Sequence, residues 1–271
     1  MKPRQNVPEK TRARRSSGND YTVPALARGI EILEALAAER RPLSAAVLAD
    51  RLGLPRSSVF RLIFTLEQKG LIEVDAQRRA CTLGSGVLRL GYSFLVAQDL
   101  TQIARPELAQ LVERTRVSAH LAIRSERDIV YLLHVPGTAG FVSNVPAGTR
   151  LPAHATPMGQ LLLSRLSRAE IAALYRGHAL TALTDQTPTT LDSLYAAIQR
   201  AAAQGYVVSH GSMEAGGISL SAPVVDAGGA LVAAIDISCP ESAFDKAALD
   251  TLYKSELLRT AGEIAKRLAP R

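Results

Sequence analysis

Apolar residues recur at helical spacing through the first third of the chain. Leu26, Ile30, Leu33 and Ala37 predict one apolar face of a helix over residues 25–38. Ser44 can cap a second, short helix, and Gly53 stands where the end of that helix favours a left-handed residue. Pro55 suits the first turn of a third helix, which is expected to end at Gly70. The apolar stripe of this third helix is Val59, Leu62 or Ile63, and Leu66.

Two short extended runs follow the third helix. Leu71–Val74 and Ala80–Leu83 flank a charged turn at residues 75–79, which is typical of a β-hairpin with a basic tip. Three helices followed by such a hairpin are the element order of a winged helix-turn-helix. We therefore assign residues 21–83 to a winged helix-turn-helix domain and residues 84–98 to a linker helix.

The positive charge of the chain is concentrated in the same third. The chain has 271 residues and a formal net charge of +7, and residues 1–95 carry 16 of its 32 Lys and Arg but only 9 of its 25 Asp and Glu. Residues 1–20 have the composition of a disordered basic arm. A basic segment beside a neutral one indicates a module that binds a polyanion, and a solvated basic face without a partner would give the same pattern.

The third helix carries side chains that suit contacts with double-stranded DNA. Arginine pairs bidentately with guanine, serine reaches phosphates or base edges, and an aromatic ring contacts the thymine methyl group. Two arginines at the hairpin tip would reach the adjacent backbone or the minor groove. An ordinary amphipathic helix with a solvated face is the alternative. The candidate DNA-binding residues are Arg56, Ser57, Ser58, Phe60, Arg61, Thr65, Arg78 and Arg79.

The rest of the chain, residues 99–271, mixes strands and helices without a strict βαβ rhythm. This predicts an α+β domain built around an antiparallel sheet. Strands are expected at 119–123, 129–135, 206–209 and in a hairpin over 218–238, with a further candidate at Phe141–Val145. Helices are expected from Pro106 to Thr115, at 157–166, 168–176 and 190–204, and over much of 243–268.

The hairpin over residues 218–238 is expected to gather four small polar side chains. A turn at Asp226–Ala230 sets a register in which Val225 opposes Val232, Ser221 opposes Asp236 and Ser219 opposes Ser238. Cross-strand partners share a face, so these three serines and Asp236 cluster on one face and apolar residues occupy the other. The cluster suits a polar ligand, although a face turned to solvent or to another subunit is the alternative.

The start of the helix at 157–166 is a second candidate for ligand contacts. Thr156 is the expected N-cap and Pro157 the expected first helical residue. The free amides of a helix N-terminus can hold a carboxylate. His154 lies just before this helix and would donate either to a ligand or to the backbone.

Segments from both halves resemble the IclR family of bacterial transcriptional regulators. They are Leu43–Leu62, Leu66–Ile72, Leu83-Gly84, His154–Leu163, Gly205-Tyr206 and Ala222-Pro223-Val224. The resemblance implies an N-terminal winged helix-turn-helix, a linker helix and a C-terminal GAF-like effector-binding domain. It also implies dimers or dimers of dimers that repress or activate operons, commonly for the catabolism of small organic acids, under control of a metabolite.

The resemblance places the effector pocket on segments that depart from the family pattern. Members of the family usually have acidic residues after the Gly-Tyr pair, whereas this chain has Ser209-His210-Gly211 after Gly205-Tyr206. In the final strand the family often has Ser-x-Ser, whereas this chain has Asp236-Ile237-Ser238. Asp236 would repel the carboxylate of a ligand unless His210, an arginine or a ligand hydroxyl compensated its negative charge. We therefore expect an effector with hydroxyl or amine donors, such as a hydroxylated aromatic acid. The candidate effector residues are His154, Thr156, Met158, Gly159, Ser209, His210, Ser219, Ser221, Asp236 and Ser238.

Other classes of protein are disfavoured. The sequence has no G-x-S-x-G, P-loop, H-E-x-x-H or G-x-G-x-x-G motif, and its histidines lack metal-ligand spacing, so we expect no catalytic residues, metal or cofactor. No apolar run approaches the ~18 residues of a membrane span. We expect a cytoplasmic homodimer or homotetramer whose thiols, Cys81 and Cys239, are buried. The alternative is a metabolite sensor, or an enzyme, whose basic third is not a specific DNA reader.

Overall fold

The computed structural model describes residues 21–268 apart from 40, 76, 78, 97–98 and 139–144. The chain divides into two compact units, with the boundary between Ser93 and Phe94. The basic arm predicted at 1–20 lies outside the described residues, as does most of the strand predicted at Phe141–Val145. Within the described ranges, no helix is long and apolar enough to cross a membrane.

The first unit has three helices and a small antiparallel sheet, which confirms the winged helix-turn-helix. Its elements are α1 (Pro24–Glu39), β1 (Leu43–Ser44), α2 (Ala45–Leu52), α3 (Arg56–Gln68), β2 (Ile72–Asp75), β3 (Ala80–Leu83) and α4 (Ser85–Val96). The strand β3 lies between β1 and β2. The strand β1 was not predicted because two residues are too few for a period-two pattern.

The turn between α2 and α3 forms as its sequence predicts. The Ser44 hydroxyl accepts a hydrogen bond from the Val47 amide at 3.3 Å, and Gly53 adopts φ 61° at the end of α2. A residue with a side chain is strained in that left-handed conformation, whereas glycine is not. The tight turn therefore delivers the chain directly into α3.

Only one residue of the apolar face predicted for α1, Leu33, packs against the core. Ile32, Ala35 and Leu36 are buried, whereas Leu26 and Ile30 are 64% and 48% exposed. The helix carries two apolar stripes, and the one formed by Ile32, Ala35 and Leu36 is buried. The expectation was therefore wrong for Leu26, Ile30 and Ala37, whereas Leu33 is half-buried and packs against the core, and the helix itself is confirmed.

The start of α4 is tied to the end of α3 through glycines that leave no room for side chains. The Gly86 amide donates to the Gly70 carbonyl at 2.8 Å, and the Gly84 amide donates to the Leu71 carbonyl at 2.9 Å. A Cβ built on Gly84 or Gly86 would lie 2.5 or 2.6 Å from the Gly70 oxygen. This backbone-to-backbone contact fixes where the linker helix begins relative to the helix-turn-helix.

The second unit is a six-stranded antiparallel sheet with helices on both faces, as predicted for an α+β domain. Its strands are β4 (Ser118–Ser125), β5 (Asp128–Val135), β6 (Arg150–Pro152), β7 (Val207–His210), β8 (Gly217–Val225) and β9 (Leu231–Pro240), in the order β6-β5-β4-β9-β8-β7. Its helices are α5 (Asp99–Thr115), α6 (Pro157–Leu163), α7 (Arg168–Leu174), α8 (Leu191–Gln204) and α9 (Ser255–Arg267), with a π-helical turn at Leu249–Lys254 before α9.

Two apolar cores lie on opposite faces of this sheet. Leu108 of α5 and Ile264 of α9 pack with Leu121, Ile235 and their neighbours on one face. Met158 and Leu162 of α6 pack with Tyr131, Ala234 and residues of α7 and α8 on the other face. A buried leucine or isoleucine contributes roughly 1.5–3 kcal/mol, so the two cores hold every central strand in place.

Two predicted details of the second unit were wrong. The helix α5 begins at Asp99, seven residues before Pro106, because Leu100 and Ala104 continue its buried stripe across the proline. Val225 opposes Leu231 rather than Val232, because the strand pair shifts by one residue between Val224 and Val225. The rest of the predicted register is confirmed, including Ser221 opposite Asp236 and Ser219 opposite Ser238.

We predict that Gly86→Ala destabilises the protein by about 2 kcal/mol, because the new methyl group would press on the Gly70 backbone. The matched control is Gly91→Ala in the same helix, where nothing lies within 4 Å of the added Cβ. Alanine has the higher helix propensity, so the control should be neutral or stabilising by up to ~1 kcal/mol. Urea denaturation measures both, and similar free energies of unfolding for the two variants would contradict the close contact.

Candidate functional site

The outward face of α3 carries most of the predicted DNA-binding residues. Arg56, Ser57, Phe60, Arg61 and Thr65 are exposed, and Ser58 is half-buried. Opposite them, Val59 and Ile63 are buried in the core of the first unit. The Thr65 hydroxyl donates to the Arg61 carbonyl at 2.8 Å, so its donor is already used within the helix.

Phe64 belongs to the same face but was missed in the sequence analysis. Phe60 and Phe64 are 63% and 62% exposed and lie one helical turn apart. Their spacing of four residues was the available signal, because a position four residues after an exposed aromatic lies on the same face. Two adjacent aromatic rings in water are costly for a monomer, which indicates that this face meets a partner.

The arginines of α3 are available for an anionic partner. Arg41 and Arg51 both form ion pairs with Glu39, at 3.1 and 2.5 Å. Within the described part of the chain, Arg56 and Arg61 form no ion pair. The charge on the outward face of α3 is therefore uncompensated, whereas the charge around the end of α1 is neutralised locally.

The hairpin between β2 and β3 contributes one described basic residue. Arg79 is exposed and adopts φ 48° in the turn, and the Asp75 carboxylate accepts from the Gln77 amide at 2.9 Å. Arg78, the other predicted residue of the hairpin tip, lies outside the described residues. Phosphate contact by either arginine stays a prediction.

A second candidate site lies on one face of the large sheet. His120, Asp236 and Ser221 stand opposite one another across β4, β9 and β8. Two residues further along, Ser118, Ser238, Ser219 and Ser209 form a parallel row that also reaches β7. Because cross-strand partners and every second residue share a face, all seven side chains belong to the same surface.

The centre of this surface is a buried pair between His120 and Asp236. The His120 Nδ1 and Asp236 Oδ1 atoms lie 2.7 Å apart, and the two residues are only 2% and 7% exposed. The His120 ring stacks on His134 with ring centroids 4.8 Å apart and meets the edge of Tyr131. The aromatic packing fixes the imidazole plane, and an Nδ1–H donor to the carboxylate satisfies one oxygen of Asp236.

A cavity of about 160 Å³ opens over this pair. Four of the ten predicted effector residues line it: Ser209, Ser219, Asp236 and Ser238. His120 and Tyr131 also line it and were missed, because His120 is 116 positions from Asp236 and only the pairing of β4 with β9 joins them. The remaining lining comes largely from the segment between Ser212 and Pro240.

The predicted residues around the start of α6 lie away from this cavity and have structural roles. Thr156 is the N-cap, as predicted, and its hydroxyl accepts from the Gly159 amide at 3.0 Å. His154 Nε2 lies 3.0 Å from the Thr181 carbonyl, and Met158 is buried in the core. A Cβ on Gly159 would lie 2.1 Å from the Ala153 oxygen, so glycine is required there.

His210 and Ser221 also stand apart from the cavity lining. His210 is exposed and contacts Glu241 at 3.3 Å, so it is not the group that compensates Asp236. A hydrogen bond from Lys246, together with the charges of Lys246 and His210, lowers the pKa of Glu241. Ser221 is fully buried, and its hydroxyl has no partner among the described residues.

The hydroxyl and thiol at the cavity edge stay protonated. Burial raises the pKa of the Cys239 thiol to about 11, and burial with the nearby charge of Asp236 raises the pKa of Tyr131. Neither group is therefore an anion near neutral pH. Across the described residues, no cluster of His, Cys, Asp or Glu is arranged to hold a metal ion.

We predict that substituting His120 and substituting Asp236 reduce the free energy of unfolding by different amounts. His120→Leu leaves the Asp236 carboxylate without its partner and should cost about 2–4 kcal/mol. Asp236→Asn keeps an amide oxygen that accepts from His120 and should cost about 1 kcal/mol. Urea denaturation of both variants measures the difference, and equal losses would argue against an ionised Asp236 held by a histidine N–H.

Comparisons with known proteins agree in both halves of the chain. The family model described as IclR helix-turn-helix domain matches residues 25–76. The model described as bacterial transcriptional regulator IclR C-terminal matches residues 92–266. The Pca regulon regulatory protein of Pseudomonas putida is 30% identical over 254 residues, which is 93% of this chain and 86% of that protein.

Solved structures show the same arrangement of elements. A transcriptional regulator from Rhodococcus sp. RHA1 is 33% identical with a TM-score of 0.77, covering 90% of this chain and 97% of that one. An IclR homologue from Microbacterium hydrocarbonoxydans, solved with 4-hydroxybenzoate, is 22% identical with a TM-score of 0.76, covering 89% and 97%. The helix-turn-helix, the effector-binding domain and these relatives together make the chain a member of the IclR family, which consists of transcriptional regulators and not of enzymes.

Proposed function

We propose that this IclR regulator reads operator DNA through the exposed face of α3, and that a small metabolite in the sheet cavity modulates this binding. The observation that carries the first part is the pair of uncompensated arginines, Arg56 and Arg61, beside two exposed phenylalanines. Such a surface has the cation and the apolar contact that major-groove recognition uses. Ser57, Ser58 and Thr65 complete the reading face, and Arg78 and Arg79 contact the flanking backbone or minor groove.

We also propose that the protein acts as a homodimer or homotetramer. Two copies of α3 would then meet two half-sites of a pseudo-palindrome. Five of the exposed apolar side chains of the first unit, at α1 and on α4, support a contact between copies. They are Val23, Leu26 and Ile30 at α1, and Leu88 and Leu90 on α4.

The proposed effector is a small hydroxylated metabolite, for which a hydroxylated aromatic acid or another organic acid is the starting candidate. The cavity volume suits one aromatic ring, and its serines with the His120–Asp236 pair would bind hydroxyl groups. The Microbacterium relative binds 4-hydroxybenzoate, which supports an aromatic scaffold. The contacts with the effector would come from His120, Ser209, Ser219, Asp236 and Ser238.

We predict that Arg61→Ala weakens binding to a specific duplex by about 1–3 kcal/mol, because a base contact is lost. The duplex is one enriched by the wild-type protein from a random library, and fluorescence anisotropy at fixed salt measures the affinity. Arg28→Ala is the control, since this arginine of α1 is also exposed and forms no ion pair among the described residues. Equal losses for the two variants would mean that charge alone, without base reading, explains Arg61.

We predict that Phe64 reads thymine methyl groups. Replacing thymine by deoxyuridine removes only the methyl and should cost the wild-type protein about 1 kcal/mol at each contacted position. Phe64→Ala should bind the thymine duplex more weakly and lose its sensitivity to the replacement, whereas Leu258→Ala, at an exposed position of α9, should keep it. A wild-type protein that binds both duplexes equally would rule out methyl reading.

A further inference from the structure

The floor of the cavity offers hydrogen-bond acceptors. Asp236 receives one hydrogen bond from His120 through Oδ1, which leaves its second oxygen able to accept another. The Nε2 atom of His120 is buried and has no partner among the described residues. A protonated Nε2 there would be a buried donor without an acceptor, so the Nδ1–H form, with a free lone pair on Nε2, is the less costly one.

The charge around the cavity is negative. Asp236 on the floor and Glu214 on the rim line it, and no lysine or arginine is among its described lining residues. Residues 139–144, which lie outside the described chain, contain no lysine, arginine or histidine. Lys246 and His210 lie beyond the lining, and both contact Glu241. A carboxylate in this cavity would therefore meet like charges without a described cation to offset them.

We propose that the ligand of this cavity binds through hydroxyl or ammonium donors and carries no carboxylate, which makes it an uncharged or cationic molecule. This inference rests on the proposed function, because it names the chemistry of the same effector. The ligand would keep the hydroxylated ring of the starting candidate named above but not its acid group, and it would differ from the organic acids that the sequence resemblance implies. The reason is specific to this chain: a carboxylate side chain, Asp236, occupies the centre of the floor and is paired with a histidine and not with an arginine.

Three ligands that differ in one substituent test the proposal. They are 4-hydroxybenzyl alcohol, 4-hydroxybenzylamine and 4-hydroxybenzoate, which keep the same phenol and carry a neutral, a cationic and an anionic group. Calorimetry and ligand-observed NMR on the full-length protein measure binding. We expect the alcohol and the amine to bind at least about tenfold more tightly than the acid, because like charges in a desolvated site repel. Tighter or equal binding of the acid would overturn the proposal, as would failure of both the alcohol and the amine to bind.

Variants test whether Asp236 causes the expected preference for the amine over the acid. Asp236→Asn keeps an acceptor but removes the charge, so the ratio between the amine and the acid should fall by about tenfold. The control Asp250→Asn removes a carboxylate of the π-helical turn that pairs with Lys254 and should leave the ratio unchanged. An unchanged ratio in Asp236→Asn would overturn the role of this carboxylate.

The DNA assay separates failure of this inference from failure of the proposed function. If the acid alone changes the affinity for the enriched duplex, the ligand inference is wrong while the proposed regulation stands. If the wild-type protein shows no preference between the enriched duplex and a shuffled one, the proposed function fails whatever the cavity binds.

Discussion

The register between β4, β9 and β8 is the constraint on which the candidate effector site depends. Asp236 of β9 lies opposite His120 of β4 on one side and opposite Ser221 of β8 on the other. The register therefore brings the buried carboxylate of Asp236 next to the His120 imidazole. A slip of one residue would turn Asp236 toward the apolar core that Ile235 and Ile237 now fill. The alternation of apolar and polar residues along these strands therefore selects the fold and assembles the polar cavity at the same time.

The first unit is built around a comparable but smaller constraint. Backbone contacts between Gly70, Gly84 and Gly86 join the end of the helix-turn-helix to the start of α4 without any intervening side chain. A change in the direction of α4 would therefore act directly on the backbone that follows α3. The boundary between the two units falls within α4 itself.

Local chemistry made much of the structure predictable from the sequence. Ser44, Gly53 and Thr156 take the cap positions that their side chains or backbone freedom favour, and the hairpin register followed from the position of the turn at Asp226–Ala230. The wrong predictions concern features that depend on contacts between residues far apart in the sequence. The helix α1 has two apolar stripes, and the sequence does not tell which of them packs. The helix α5 continues through Pro106 because its buried stripe is unbroken there. A one-residue shift near the turn changes the partner of Val225. His120 could not be joined to Asp236 without knowing that β4 pairs with β9.

The chemistry of the cavity floor depends on which nitrogen of His120 carries the proton. NMR of isotope-labelled imidazole nitrogens, with the His120 signal assigned by comparison with His120→Leu, reports which nitrogen carries the proton. We predict a proton on Nδ1, directed at Asp236, and none on Nε2. A proton on Nε2, or on both nitrogens, would contradict this prediction, because the imidazole would then be a donor that could hold a carboxylate.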